Sequence, residues 1–151
     1  MTTIAYKRGL MVADSQCTGS SGAKCRVRKL IRIPGLGVFG GAGDFVAVLS
    51  LRDWAASGFE GKRPPKTGEA ECLLAKEDGT VWYLAGSGPP FEILDEYTAV
   101  GSGSSFAEGA MAYGASAMEA VQIAARHDSG TSGPFQQLRV KRKKRRADED
   151  E

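Results

Sequence analysis

Thr2-Thr3-Ile4-Ala5-Tyr6-Lys7-Arg8-Gly9-Leu10-Met11-Val12-Ala13-Asp14 is the stretch that decides how this chain folds. Two short apolar runs flank Lys7-Arg8-Gly9. Glycine as the last residue of a three-residue loop suits a type I turn closed by a G1 bulge. The predicted hairpin sets residues 2–6 against 10–14 and pairs Tyr6 with Leu10, Ile4 with Val12 and Thr2 with Asp14. Directly opposed residues have Cβ atoms about 4.5–5.5 Å apart, so this pairing places a carboxylate beside Thr2. Both faces of the hairpin are largely apolar, as expected of a sheet covered on both sides.

Met1 precedes a small residue, a context in which cells remove the initiator methionine. Thr2 at a free N-terminus would carry a nucleophilic hydroxyl and, in the same residue, an α-amine to act as its base. The competing reading is that Met-Thr-Thr merely begins an edge strand.

The chain has 151 residues and 42% hydrophobic residues, enough for one domain with a sizeable core. No apolar run approaches a membrane span, and Lys7 and Arg8 interrupt the start before a signal-peptide core could develop. Asparagine is absent, and the three cysteines (Cys17, Cys25, Cys72) lack metal-ligand spacing. A cytoplasmic, reduced protein without metal or cofactor is expected. The net charge of +2 belongs to the tail: residues 141–151 hold six of the 20 basic and four of the 18 acidic residues, so positions 1–140 are neutral. The neutral body, 1–140, is thus predicted to end in a charged, disordered tail, 141–151. A basic run is a generic phosphate footprint, but acids follow it at once and no aromatics interleave. A nucleic-acid partner acting through the tail is therefore the weakest of the functional readings.

Downstream, a Ser/Gly-rich loop (15–24) precedes a strand at 26–33. There Lys29 shares the apolar phase of Val27, Ile31 and Ile33. It is either a lysine that snorkels out of a half-buried strand or a desolvated cation near Thr2 and Asp14. Gly40-Gly41-Ala42-Gly43-Asp44 leads into a helix at 45–57, with Asp44 as N-cap and Gly58 past its end. The glycine pair offers bare N–H groups to a developing oxyanion, or simply makes a small-residue turn. A second hairpin follows at 70–76 and 80–85 around Asp78-Gly79, with a further strand at 97–100. Ser105-x-x-Glu108 and Ser116-x-x-Glu119 read as capping boxes opening helices at 106–113 and 117–127. A last strand is predicted at 135–141. His127, the only histidine, ends the second of those helices, where the helix dipole favours a cation. The order of elements suggests an α+β sandwich.

Several of these stretches, taken in order, resemble the proteasome β subunits and the bacterial HslV peptidase. They are Thr2-Thr3-Ile4, Val12-Ala13-Asp14-Ser15-Gln16-Cys17-Thr18, Arg26-Val27-Arg28-Lys29-Leu30, Phe39-Gly40-Gly41-Ala42-Gly43-Asp44, Val100-Gly101-Ser102-Gly103 and Arg126-His127-Asp128. The resemblance implies an N-terminal-nucleophile hydrolase with a four-layer αββα sandwich and threonine peptidase activity. It implies peptide or unfolded protein as substrate, a homo-oligomeric ring and an ATP-driven unfoldase as partner. It assigns Thr2 as nucleophile, Asp14 and Lys29 as the charged pair activating it, and Gly40 as an oxyanion N–H. Ser102 and Asp128, with Thr131 or Ser132, would form the network around the amine, and Thr18 and Ala42 would line the substrate cleft. In three places the chain departs from that pattern. The first hairpin is four residues shorter, Cys17 replaces the usual alanine, and the helix-rich segment after the first helix shrinks to a connector at 58–68. The outer helical layer is therefore reduced, and a catalytically silent structural subunit is the alternative reading.

Overall fold

A computed structural model describes residues 2–19, 21–60 and 68–141. The chain runs β1 (Ile4–Lys7), β2 (Leu10–Ala13), β3 (Gln16–Thr18), β4 (Lys24–Arg26), β5 (Leu30–Ile33) and β6 (Gly37–Gly43). It continues through α1 (Phe45–Ala56), β7 (Ala70–Lys76), β8 (Val81–Ala85), β9 (Phe91–Ile93), β10 (Tyr97–Val100), α2 (Ser104–Ala112), α3 (Ala117–His127) and β11 (Gln136–Arg139). The basic run from 142 onward and most of the 58–68 connector lie outside the described residues.

Two antiparallel sheets stack face to face. One has the order β10-β1-β2-β11 and the other β5-β6-β7-β8-β9, while β3 and β4 form a separate small hairpin. Three apolar clusters make four layers of this arrangement. Ile4, Met11, Ala13, Leu30, Val38, Leu73 and Val100 fill the space between the sheets. Ala47, Val48, Leu51 and Ala55 of α1 cover the outer face of the larger sheet against Phe39, Cys72 and Leu74. Ala107, Met111, Ala120 and Val121 of α2 and α3 cover the outer face of the smaller sheet against Ala5, Val12 and Ala99. The predicted α+β αββα sandwich is what forms. Among the described residues its larger sheet carries one helix. No described helix is long and apolar enough to cross a membrane.

The first hairpin differs from the predicted one by a single residue. Lys7 pairs with Leu10, Tyr6 with Met11 and Ile4 with Ala13. The turn is therefore only Arg8-Gly9, with φ of 49° and 85°. Two successive positive φ values make a type I′ turn, whose twist matches that of the flanking strands; Arg8 takes the left-handed conformation that the prediction reserved for glycine. A one-residue slip sends every side chain of one strand to the other face. Met11 and Ala13 thus join Ile4 between the sheets, and Val12 joins Ala5 beneath the helices. Thr3, not Thr2, lies across from Asp14, whose N–H donates to Thr3 O at 3.2 Å.

Two more boundaries moved. The predicted strand at 26–33 breaks at Val27-Arg28-Lys29, and Thr18 belongs to a strand rather than a loop because Gln16–Thr18 pairs with Lys24–Arg26. The Ser105/Glu108 box does not form: α2 starts at Ser104 with Gly103 as its N-cap, so Ser105 is already inside the helix. The Ser116/Glu119 box forms as predicted, with both reciprocal hydrogen bonds present. Asp44 caps α1 by accepting from Ala47 N at 2.9 Å.

Candidate active site

The site begins with a buried carboxylate. Asp14 is fully buried at the end of β2, where such a group is tolerated only if its lone pairs are filled. Oδ1 accepts from Thr3 N at 3.1 Å and from Lys29 Nζ at 2.7 Å. Oδ2 accepts from Gln16 N and from Ser132 N, each at 3.2 Å. One side chain thereby ties together the start of β1, the start of β3, the loop before β11 and the segment leading into β5.

Lys29 is the cation of that cluster, 7% exposed. Its Nζ donates to Asp14 and also to the hydroxyl of Thr2. Burial pushes the Lys29 pKa below the ordinary lysine value, and the hydrogen bond and charge of Asp14 act against that fall. Of the two readings of Lys29, the buried cation is the one realised; it does not snorkel. Thr2 itself is 4% exposed.

How Lys29 gets there depends on a residue that the sequence did not flag. Gln136, the first residue of β11, accepts from Lys29 N (2.9 Å) and Leu30 N (3.3 Å) through Oε1. Its Nε2 donates to Val27 O at 2.7 Å and Asp14 O at 3.4 Å. The amide side chain replaces the ladder where the strand breaks, and it holds 27–30 against β2. Gln136→Leu deletes all four bonds while keeping size. It is expected to cost about 1–3 kcal/mol of stability, the penalty for buried amides left unpaired, and to lower any Thr2-dependent rate. A chemical-denaturation midpoint unchanged from wild type would show that Gln136 does not hold this segment.

A second network meets the main chain of Thr2. Thr2 N donates to Ser102 Oγ at 3.2 Å, and Ser102 Oγ donates to Asp128 Oδ2 at 2.6 Å. Thr131 Oγ1 donates to the same oxygen at 2.6 Å, so in its 2.7 Å contact with Thr3 Oγ1 the Thr3 hydroxyl is the donor. Of the two candidates for this position, Thr131 is the one bound to Asp128, whereas Ser132 contributes its main-chain N–H to Asp14. Partial burial pushes the Asp128 carboxyl up, but the hydrogen bonds from Ser102, Thr131 and Gly130 N outweigh it and hold the group below the usual aspartate range. A carboxyl depressed in the folded state contributes stability above its unfolded value and loses it as pH falls through the lower folded value. Asp128→Asn is therefore expected to melt with a weaker pH dependence than wild type below about pH 4. Parallel melting curves of the two proteins across that range would exclude the contribution.

Gly101 supplies the close approach on which this network rests. At φ 101°, a Cβ there would lie 2.0 Å from Thr2 O. Gly40 has a structural duty instead: a Cβ would meet Leu30, Met11 and Ile4 at 2.7, 3.0 and 3.2 Å, between the sheets. Its N–H is also committed. Asp44 N donates to Glu69 O and Glu77 N to Leu36 O, which fixes the phase of the β6–β7 ladder. Gly40 and Leu73 are then a hydrogen-bonded pair. The alternate residues Gly41 and Gly43 point their N–H groups the other way, toward the edge left open where β5 begins only at Leu30.

Thr2, Ala42, Gly43, Glu69, Ala70, Glu71, Gly101 and Ser102 line a cavity of about 230 Å³. Ala42, expected to line a substrate cleft, belongs to this wall. Thr18 is not part of this wall; its hydroxyl accepts from Gln16 Nε2 at 3.1 Å on the neighbouring hairpin. Glu69 and Glu71 were not foreseen, although their alternation along the strand is visible in Glu69-Ala70-Glu71. His127 stacks on Phe106 with ring centroids 5.2 Å apart, away from these residues. Among the described residues, no group of three or more His, Cys, Asp or Glu is arranged to hold a metal ion.

Comparison with known proteins supports the architecture. No family model matches the sequence, and no curated protein matches it. Among solved structures, eukaryotic HslV from Trypanosoma brucei is similar with a TM-score of 0.70 at 22% identity, covering 92% of this chain and 97% of that one. Thiobacillus denitrificans BPH is similar with a TM-score of 0.66 at 22% identity, covering 92% and 96%. The chain has an HslV-like fold.

Proposed function

We propose that the chain is a threonine endopeptidase whose nucleophile is Thr2, exposed by removal of Met1. The observation that carries this reading is the buried Asp14–Lys29 pair, with the Lys29 ammonium hydrogen-bonded to the Thr2 hydroxyl. A structural lysine has no need to donate to a hydroxyl at the lip of a cavity.

Thr2 Oγ attacks the scissile carbonyl, and its proton passes to its own α-amine through a water. The amine must be neutral for this, and a free α-amine titrates near 7.7–8.0. The adjacent Lys29 cation lowers that value, while Asp14 holds the cation in place. The bond between Thr2 N and Ser102 Oγ, anchored on Asp128, orients the amine. The tetrahedral oxyanion falls toward the open edge of β6. The donor in register with Lys29 there is Gly41 N–H, which takes the role first expected of Gly40. The intermediate collapses to an ester on Thr2 and expels the amine of the leaving peptide, which takes the proton held by the α-amine. Water then hydrolyses the ester. A ring of copies fed by an ATP-dependent unfoldase is the assembly that the resemblance implies.

N-terminal sequencing combined with labelling by a threonine-directed electrophile tests the reading. One adduct on Thr2 of a chain lacking Met1 is the expected result. Retained Met1 and no adduct would favour the silent structural subunit, the reading that the reduced outer layer supports.

A further inference from the structure

Cys17 and Cys25 are directly opposed residues of the β3–β4 pair. Both are free thiols and neither has a part in the Thr2 chemistry. Val27 N donates to Ser15 O at 2.9 Å and Gly19 N to Ala23 O at 2.8 Å, so 17 and 25 form a hydrogen-bonded pair of this hairpin. Cα atoms across such a pair are about 5.5 Å apart, inside the range of about 4.4–6.8 Å that disulfides span; the Cβ atoms sit at the wide end of about 4.5–5.5 Å, so closure draws the two short strands together and leaves a strained, readily reduced bond. The two thiols also sense each other. Burial raises the Cys17 pKa, and the hydrogen bond and charge of the Cys25 side chain raise it further. Access is graded: Cys25 is exposed, Cys17 half-buried and Cys72 buried. Cys72 sits beneath α1 with its thiol pushed up to about 12, which leaves it inert as a nucleophile.

We propose that Cys17 and Cys25 are a peroxide-sensitive dithiol that closes to a disulfide across the β3–β4 hairpin. The Cys25 thiolate attacks hydrogen peroxide, the O–O bond breaks, and a sulfenic acid forms while the departing hydroxide takes up a proton as water. The Cys17 sulfur then attacks the sulfenic sulfur. The S–S bond forms, the S–O bond breaks, and the second oxygen leaves as water with the Cys17 proton. Two thiols and one peroxide thus give one disulfide and two waters, the two electrons passing from sulfur to peroxide. The hairpin so fastened carries Gln16, whose N–H is one of the four donors to Asp14. The modification therefore clamps one flank of the site without using any of its chemical groups.

Thiol mapping of the full chain after treatment with a few equivalents of hydrogen peroxide tests the assignment. The expected result is a monomer lighter by about 2 Da, with Cys72 alone alkylated after denaturation and a cross-linked peptide spanning Cys17 and Cys25. Dithiothreitol should restore all three thiols. Cys17→Ser removes the resolving thiol, so its Cys25 should instead gain about 32 Da as sulfinic acid. Wild-type Cys25 over-oxidised beside an alkylatable Cys17, or a cross-link between two chains, would overturn the proposal. The readout is sulfur chemistry and not turnover, so it stands or falls separately from the peptidase reading.

Discussion

Thr2→Ala is expected to leave the chain folded and to lower peptide hydrolysis by roughly 10⁴-fold or more, the order lost when a covalent nucleophile is deleted. The substitution removes one hydroxyl. Lys29 keeps its bond to Asp14 at 2.7 Å, and the Thr2 main-chain bond to Ser102 does not involve the side chain. The stability change should therefore stay within about 1–2 kcal/mol. Thr2→Ser, which keeps the oxygen, should retain measurable turnover, and an N-terminal extension that survives in the mature chain should abolish it. Active-site titration together with a denaturation curve separates these outcomes. A Thr2→Ala protein that is folded and still hydrolyses peptide at the wild-type rate would remove Thr2 from the mechanism.

Asp14→Ala should do the opposite in kind, unfolding the protein rather than merely silencing it. Four donors converge on this carboxylate, and one is the buried ammonium of Lys29. Breaking a buried ion pair from one side costs roughly 3–5 kcal/mol, and the three orphaned main-chain N–H groups add to it. Against a total of about 5–15 kcal/mol for a domain, little or no folded protein should remain. The double substitution Asp14→Leu with Lys29→Met removes both charges together. It should recover part of the loss, the charge–charge share that a double-mutant cycle isolates. Urea melts of the two single variants and the pair provide the measurement. Asp14→Ala within about 1 kcal/mol of wild type would mean that the four bonds do not hold the site as their geometry implies.

The layered architecture was legible because it rests on local signals that tertiary packing did not override. Asp78-Gly79 between alternating runs gave the β7–β8 hairpin, and Ser116-x-x-Glu119 gave the start of α3 to the residue. The tight turn at Arg8-Gly9 was misread because glycine draws attention to itself, whereas Arg8 took positive φ with no sequence sign. Ser105 looked like a cap, yet the turn at Gly101-Ser102-Gly103 started α2 early. The partners Thr2, Asp14, Lys29, Ser102 and Asp128 were all named from the order of motifs, and the structure brings them together in two hydrogen-bonded networks that meet at Thr2. Gln136 was not named. One of two adjacent glutamines on a short strand carries no periodicity and no motif, and its value lies in reaching four main-chain groups more than a hundred positions earlier.

By itself, the sequence determined which residues carry charge or a hydroxyl, where most of the turns fall, and that strands and helices with apolar faces must bury them against one another. Those are properties of composition and spacing over a few residues. Only the tertiary structure decided the register of the first hairpin and the break that frees Lys29 from its strand. It also decided which of Thr131 and Ser132 binds Asp128. Each of these turns on a one-residue phase or a single long-range hydrogen bond. The free-energy difference between such alternatives lies in contacts between segments far apart in sequence, and no local pattern encodes it.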